Sequence, residues 1–256
     1  MEGDIILRPA EPGDAKAIRT AYCEACKITY AGIIRPDIFQ RVTTLNNNDI
    51  ARIENEIATG KPEYYVAEID GQVAGYISLV YPKAGDYPEM GDETAQKTSF
   101  EIEHLYINPD YQNRGIGFAL LDKVCREKRE EGYRNVIIET VNSGISYQGI
   151  PYEAPSLKFY RQVGNFRIIR EKQGENLKVS CITLATSIDE IYGKLTLSEA
   201  IDALHGKTSE EQQSLLANRY NIRQALREGL AAVSSAERPK LIIQQPYEII
   251  PDTHTH

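Results

Sequence analysis

Two carboxylates and two glycines within one stretch of this sequence have the types and spacing that chemistry requires. Glu101 and Glu103 alternate with apolar residues in the run Phe100–Ile107. By the two-residue period of a strand they share one face with Leu105 and Ile107, while His104 faces the other way in a structural role. Carboxylates are expensive to bury unless they are paired or open to a cleft, so such a pair suits a general base or the positioning of a cationic reactant. Exposure at a strand end, or pairing with a basic neighbour, would satisfy the same two residues. After the turn Asn108-Pro109-Asp110-Tyr111, a loop containing Gly115 and Gly117 opens a segment whose apolar residues Ile116, Leu120, Leu121, Val124 and Cys125 fall on one helical face. Successive backbone amides at such a loop-to-helix junction, aided by the helix dipole, bind anions. A diphosphate held mainly by backbone is therefore expected.

Other glycine loops fit less well. In a dinucleotide fold the strand runs straight into Gly-x-Gly-x-x-Gly, whereas here Leu120 occupies the third glycine position and a longer linker follows Ile107. Glu139 could stand for the ribose-binding acid of that motif. A nucleotide-triphosphate loop needs Gly-Lys-Ser/Thr, which is missing after these glycines.

The elements that must position these residues are legible from periodicity and turn chemistry. A strand is expected at 4–8, helices at 14–29, 35–45 and 48–59, and strands at 63–69 and 72–81 joined by an Asp70-Gly71 hairpin turn. Residues 82–98 read as a polar loop. A strand at 99–107, a helix at 115–131 and a buried strand at 135–141 follow, then an insertion at 144–155, a helix carrying Tyr160, and strands at 166–171 and 177–184 meeting near Gly174. The fold class is thus α/β, a mixed sheet flanked by helices. Past Ser187, Thr196-x-x-Glu199 and Thr208-x-x-Glu211 are capping-box spacings, and Leu215, Ile222, Leu226, Leu230 and Val233 form a helical stripe. We divide the chain into a 1–185 domain, a 186–238 helical extension that docks on that domain or builds a homodimer, and a 239–256 irregular tail.

Composition narrows the function. The formal charge of −8 argues against nucleic acid, which demands a basic face, and favours a cationic partner. No apolar run approaches the ~20 residues of a membrane span, and the N-terminus lacks a signal-peptide pattern, so a cytoplasmic protein without membrane contact is expected. Cys23-x-x-Cys26 sits in an alanine-rich helical pattern without a second Cys/His pair, and His254-x-His256 lies at a terminus without carboxylate ligands, so no metal is expected.

The loop Gln112-Asn113-Arg114-Gly115-Ile116-Gly117, preceded by Leu105-Tyr106-Ile107, resembles the coenzyme A loop Gln/Arg-x-x-Gly-x-Gly/Ala of the GNAT superfamily of N-acetyltransferases. Ile6-Leu7-Arg8-Pro9-Ala10, Tyr30-Ala31-Gly32-Ile33-Ile34 and Leu157 to Phe166 are similar to that superfamily's first strand, first helical bend and tyrosine helix, in the expected order over residues 4 to 185. The resemblance implies a GNAT-like fold with a C-terminal helical extension, and acetyl transfer from acetyl-CoA to a primary amine of a small molecule or protein. It places CoA against Leu105, Tyr106, Ile107 and the loop Gln112, Asn113, Arg114, Gly115, Ile116 and Gly117, with Arg114 supplying positive charge. It makes Glu103 the first candidate base, Glu101 the second, and Tyr160 the donor to the departing sulfur. A lysine-like amine with a pKa of ~10.4 must lose a proton before it attacks, at roughly 4 to 5 kcal/mol at pH 7, so a base is needed on chemical grounds too. Residues 30–34, 82–98, 147–152 and the turn near Gly174 are expected to wall the acceptor. A catalytically silent acyl-CoA sensor acting through the C-terminal helices is the alternative.

Overall fold

The computed structural model describes residues 5–91, 93–173 and 179–191; the expected C-terminal helices, the irregular tail and the turn near Gly174 lie outside them. In chain order the elements are β1 (Ile6–Pro9), α1 (Ala15–Thr29), α2 (Pro36–Thr43), α3 (Asn47–Thr59), β2 (Glu63–Ile69), β3 (Gln72–Val80) and α4 (Glu93–Lys97). There follow β4 (Ser99–Ile107), α5 (Ile116–Glu130), β5 (Asn135–Val141), β6 (Gly144–Ile145), β7 (Pro151–Tyr152), α6 (Pro155–Val163), β8 (Arg167–Gln173) and β9 (Ser180–Ser187). The expected elements of the first 185 residues are present within a few residues of their predicted ends. Residues 82–98 differ from the expected loop: they contain a 3-10 turn at Pro88–Met90 and the helix α4, tied down where the Gly85 amide donates to Gln96 Oε1 at 2.8 Å. The 144–155 insertion folds back on itself as the β6–β7 hairpin.

Seven strands form one mixed sheet in the order β1-β2-β3-β4-β5-β9-β8. Neighbours are antiparallel except β4 and β5, which run parallel across the α5 crossover. One sheet face packs on α5 and α6, where Ile77, Leu79, Phe100, Ile102, Ile116, Leu120, Leu121, Val136 and Ile138 belong to the main core. On the other face α1 and α3 bury Ile18, Ala21 and Ile53 against Tyr64, Val66 and Tyr76. Such two-sided cover is what a mixed sheet with apolar central strands requires.

Two irregularities in β4 create the site. Only its first four residues, Ser99 to Ile102, pair with β5 at Asn135 to Ile138. Beyond that point β5 pairs through Glu139 to Val141 with β9 alone, so the two parallel strands part. At the same level a bulge interrupts the ladder to β3: Leu79 opposes Ile102, Ser78 opposes His104, and Glu103 is the extra residue. A bulge bends and twists its strand, which fits the opening of the sheet here.

Candidate active site

The bulge overturns the expected alternation of faces. Ile102, Leu105 and Ile107 lie opposite or beside Leu79, Ile77 and Gly75 on the α5/α6 side, whereas Glu101, His104 and Tyr106 pair with Val80, Ser78 and Tyr76 on the α1 side. Glu101 therefore does not share a face with Leu105 and Ile107, and His104 does share one with Glu101. The period-two rule holds only along an uninterrupted ladder.

Loop and helix start are built as an anion cradle. Asn113 and Gly115 both have positive φ, 64° and 76°, and Gly115 is the N-cap of α5. That left-handed conformation is the reason for a glycine at 115. Amides in the first turn of a helix have no intrahelical partner, and here they belong to Ile116 and Gly117, which line the cavity described below. At Gly117 an added Cβ would meet Ile107 and Phe159 no closer than 3.7 Å, so the protein's own packing does not demand a glycine there. Gln112 anchors the loop by donating from Nε2 to the Ile107 carbonyl at 3.1 Å. The Arg114 guanidinium lies 5.3 Å from the Tyr111 ring centroid and donates to the Asp110 carbonyl at 3.2 Å.

The carboxylates occupy different settings. Tyr87 donates to Glu101 Oε2 at 2.6 Å. Burial raises the Glu101 pKa, with the charges of Glu139 and Glu103 acting in the same direction against the Tyr87 bond. Glu139 is itself paired with Lys172 at 2.7 Å. Glu103 Oε2 lies 3.5 Å from His104 Nδ1 and 3.4 Å from Ser78 Oγ. The His104 contact outweighs desolvation and holds the Glu103 carboxyl below its ordinary range. Tyr160, on α6, is buried against Phe159 and Phe166, and burial raises its phenol so that it stays protonated. The start of α6 is clipped to β5 by a 2.6 Å hydrogen bond between Thr140 and Ser156 hydroxyls, one turn before Tyr160.

One cavity of about 1230 Å³ gathers these groups. It reaches Gln112, Asn113, Gly115, Ile116 and Gly117 at one end, Leu105, Tyr106 and Ile107 along the free edge of β4, and Glu101, Glu103 and Tyr160 beyond. Tyr30 also lines it; the 82–98 segment reaches the site where Tyr87 bonds Glu101, and the β6–β7 hairpin packs on the α1–α2 connection where the Tyr147 amide donates to the Ile33 carbonyl at 3.1 Å. Sequence reasoning missed Tyr87, whose signal was a lone ring in a polar stretch, and Ser78, which carries no signal outside the β3–β4 register. Cys23 and Cys26 are free, buried thiols in α1, as expected of small helix residues. Among the described residues no helix is long and apolar enough to cross a membrane.

Comparison with known proteins gives the arrangement its relatives. The model of the acetyltransferase (GNAT) family matches residues 35–148. The chain is 31% identical over 86 residues to the uncharacterized N-acetyltransferase in the pepI 3′ region of Lactobacillus delbrueckii subsp. lactis, a match covering 34% of this chain and 46% of that relative, less than half its length. It is 30% identical over 138 residues to the L-amino acid N-acyltransferase MnaT of Escherichia coli K12, covering 54% of this chain and 70% of MnaT. The fold is shared with the paia N-acetyltransferase of Thermoplasma acidophilum, solved in complex with coenzyme A, at a TM-score of 0.53 and 17% identity over 72% of this chain and 99% of that one. The family model spans the cradle and both carboxylates, and the MnaT match covers more than two thirds of that relative, so the chain belongs to the GNAT acetyltransferase family.

Proposed function

We propose that this chain moves an acetyl group from acetyl-CoA to a primary amine of a small molecule or protein, by direct attack in a ternary complex. The observation that carries this reading is the continuity of one cavity from the first-turn amides of α5, along the free edge of β4, to Glu101, Glu103 and Tyr160. The residues fit the cosubstrate: a left-handed Gly115, open amides at a helix start, and a Gly117 that sets no side chain over its own amide. Bound there, acetyl-CoA supplies an activated acyl group on a thioester.

The chain's own residues do the rest. Amides of the loop hold the diphosphate, and β4 from Glu103 to Ile107, unpaired with β5, offers backbone groups to the pantetheine arm and the thioester carbonyl. Glu101 and Glu103 draw the cationic amine into the gap between the strands, where Glu103 is the first candidate to take its proton, directly or through a neighbouring group. Tyr160 donates to the leaving sulfur.

Thiol release from acetyl-CoA, followed against no-acceptor controls, tests the reading. Because the MnaT relative is named for L-amino acids, the acceptor panel begins there and continues through polyamines, aminoglycosides, lysine peptides and free N-termini. The expected result is transfer by wild type to at least one amine, lost in Glu103→Gln while calorimetry still detects CoA. Binding of CoA without transfer to any amine favours an acyl-CoA sensor instead. If CoA and acetyl-CoA neither bind nor raise the melting temperature, the cofactor assignment itself fails.

A further inference from the structure

Building on the transferase reading, we propose that His104 is the immediate proton acceptor for the amine, with Glu103 as the anionic partner of the imidazolium and Ser78 as the group that fixes the ring. The geometry comes from the bulge. By making Glu103 the extra residue, it puts Glu101 on the α1 side of the sheet with His104 and Tyr106, where His104 lines the cavity. There His104 Nδ1 stands 3.1 Å from Ser78 Oγ, and Ser78 Oγ donates to Glu103 Oε2 at 3.4 Å, while Nδ1 and Oε2 are themselves 3.5 Å apart. Ser78 is fully buried, so its hydroxyl has little freedom to leave this arrangement. Nδ1–H donates toward Ser78 and the carboxylate, and Nε2 is the nitrogen left to take a proton.

The surroundings favour the ring over the carboxylate in that role. Tyr22 of α1 meets the imidazole edge-on at 5.8 Å between centroids, and Tyr76 of β3 and Tyr106 of β4 stand at 6.2 and 5.9 Å. Burial raises all three phenols, which leaves them neutral at physiological pH. Of the cations that line the cavity, Arg19 of α1 is paired with Asp49, Arg52 of α3 with Glu56 and Lys172 of β8 with Glu139. Glu103 is the carboxylate within ion-pair distance of the His104 ring. A carboxylate held below its ordinary range is a weak proton acceptor, and the imidazole beside it offers Nε2 in its place.

The step balances. An ammonium N–H bond breaks and its proton goes to His104 Nε2; the freed nitrogen pair forms the C–N bond as the C–S bond breaks. Tyr160 gives its proton to the sulfur and recovers one from the acylated nitrogen. His104 then returns its proton to solvent, so the reaction releases one proton overall.

The test compares kcat/KM against pH for wild type, His104→Gln, Glu103→Gln and Ser78→Ala with one acceptor, alongside CoA binding by calorimetry. His104→Gln is expected to lower kcat by about 10²- to 10³-fold with unchanged CoA affinity and to erase the acid limb of the profile. Imidazole in the buffer should partly restore His104→Ala. Near-normal kcat and an intact acid limb in His104→Gln, with both lost in Glu103→Gln, would overturn the assignment in favour of Glu103 alone. If His104→Gln does not fold, Ser78→Ala decides: an altered acid limb supports the relay, and an unchanged profile overturns it. Wild type that binds CoA but acetylates nothing would refute the transferase reading and this assignment together, a result distinct from the others.

Discussion

Gly115→Ala tests the anion cradle at its most constrained residue. With φ 76° and ψ 0°, Gly115 sits in the left-handed region, which costs an L-residue about 1–2 kcal/mol. Alanine also narrows the unfolded ensemble, offsetting about 0.4–1 kcal/mol. A net loss of about 1 kcal/mol remains, and where it appears is informative. If the turn keeps its shape, the loss falls on stability, lowering Tm by about 2–4 °C with CoA affinity unchanged. If the empty loop relaxes and must be rebuilt around the ligand, Tm holds and Kd for CoA rises about fivefold. Thermal unfolding without ligand and calorimetry with CoA measure the two parts. Gly117→Ala is the internal control: its Cβ meets neighbours no closer than 3.7 Å, so stability should hold or rise by up to about 1 kcal/mol. Unchanged Tm together with unchanged Kd in Gly115→Ala would refute the reasoning.

Other perturbations follow from the same geometry. Tyr160→Phe should lower kcat by about tenfold or more while leaving CoA binding intact, as measured by thiol release and calorimetry. Because burial raises the Glu101 pKa, its contribution to stability is present at low pH and lost as pH rises through the folded value. Glu101→Gln should therefore melt higher than wild type at pH 8 and equal to it near pH 4. Lys128 is 2% exposed and bonds Glu63 at 2.8 Å and Glu131 at 2.8 Å, with Tyr81 donating to the same Glu63 carboxylate. Lys128→Met should cost about 1–3 kcal/mol in urea unfolding, less than for a fully buried pair because both carboxylates reach solvent. Burial pushes the Glu63 carboxyl up, but its bonds from Lys128 and Tyr81 prevail and leave it lowered. Its stabilisation is therefore present above the unfolded carboxylate value and lost on acidification, so the gap between variant and wild type should narrow as pH falls through the folded value.

Local chemistry made much of this protein legible in advance. Apolar periodicity located α1, α5 and the strand pairs, because each such stripe must be buried against something. The Gly115-x-Gly117 loop could be read as a cradle because left-handed backbone and open helix-start amides are properties of a few consecutive residues. The segment 82–98 was less legible, since Tyr87 gains its place only by bonding Glu101, and α4 is too short for a periodic signal. The stacking of Arg114 on the adjacent Tyr111 ring was not legible either, since charge in a loop says nothing of which neighbour a long side chain lies on.

By itself, the amino-acid sequence determined the order of elements, the two carboxylates beside an anion loop and the family they resemble. Only the tertiary structure decided that Glu101 faces the same way as His104. The reason is physical: side-chain alternation is local, whereas a bulge is created by pairing with another strand, and β3 inserts one at Glu103. That single extra residue parts Glu101 from Leu105 and Ile107, sets it on the side of His104, and coincides with the level at which β4 leaves β5 to open the site.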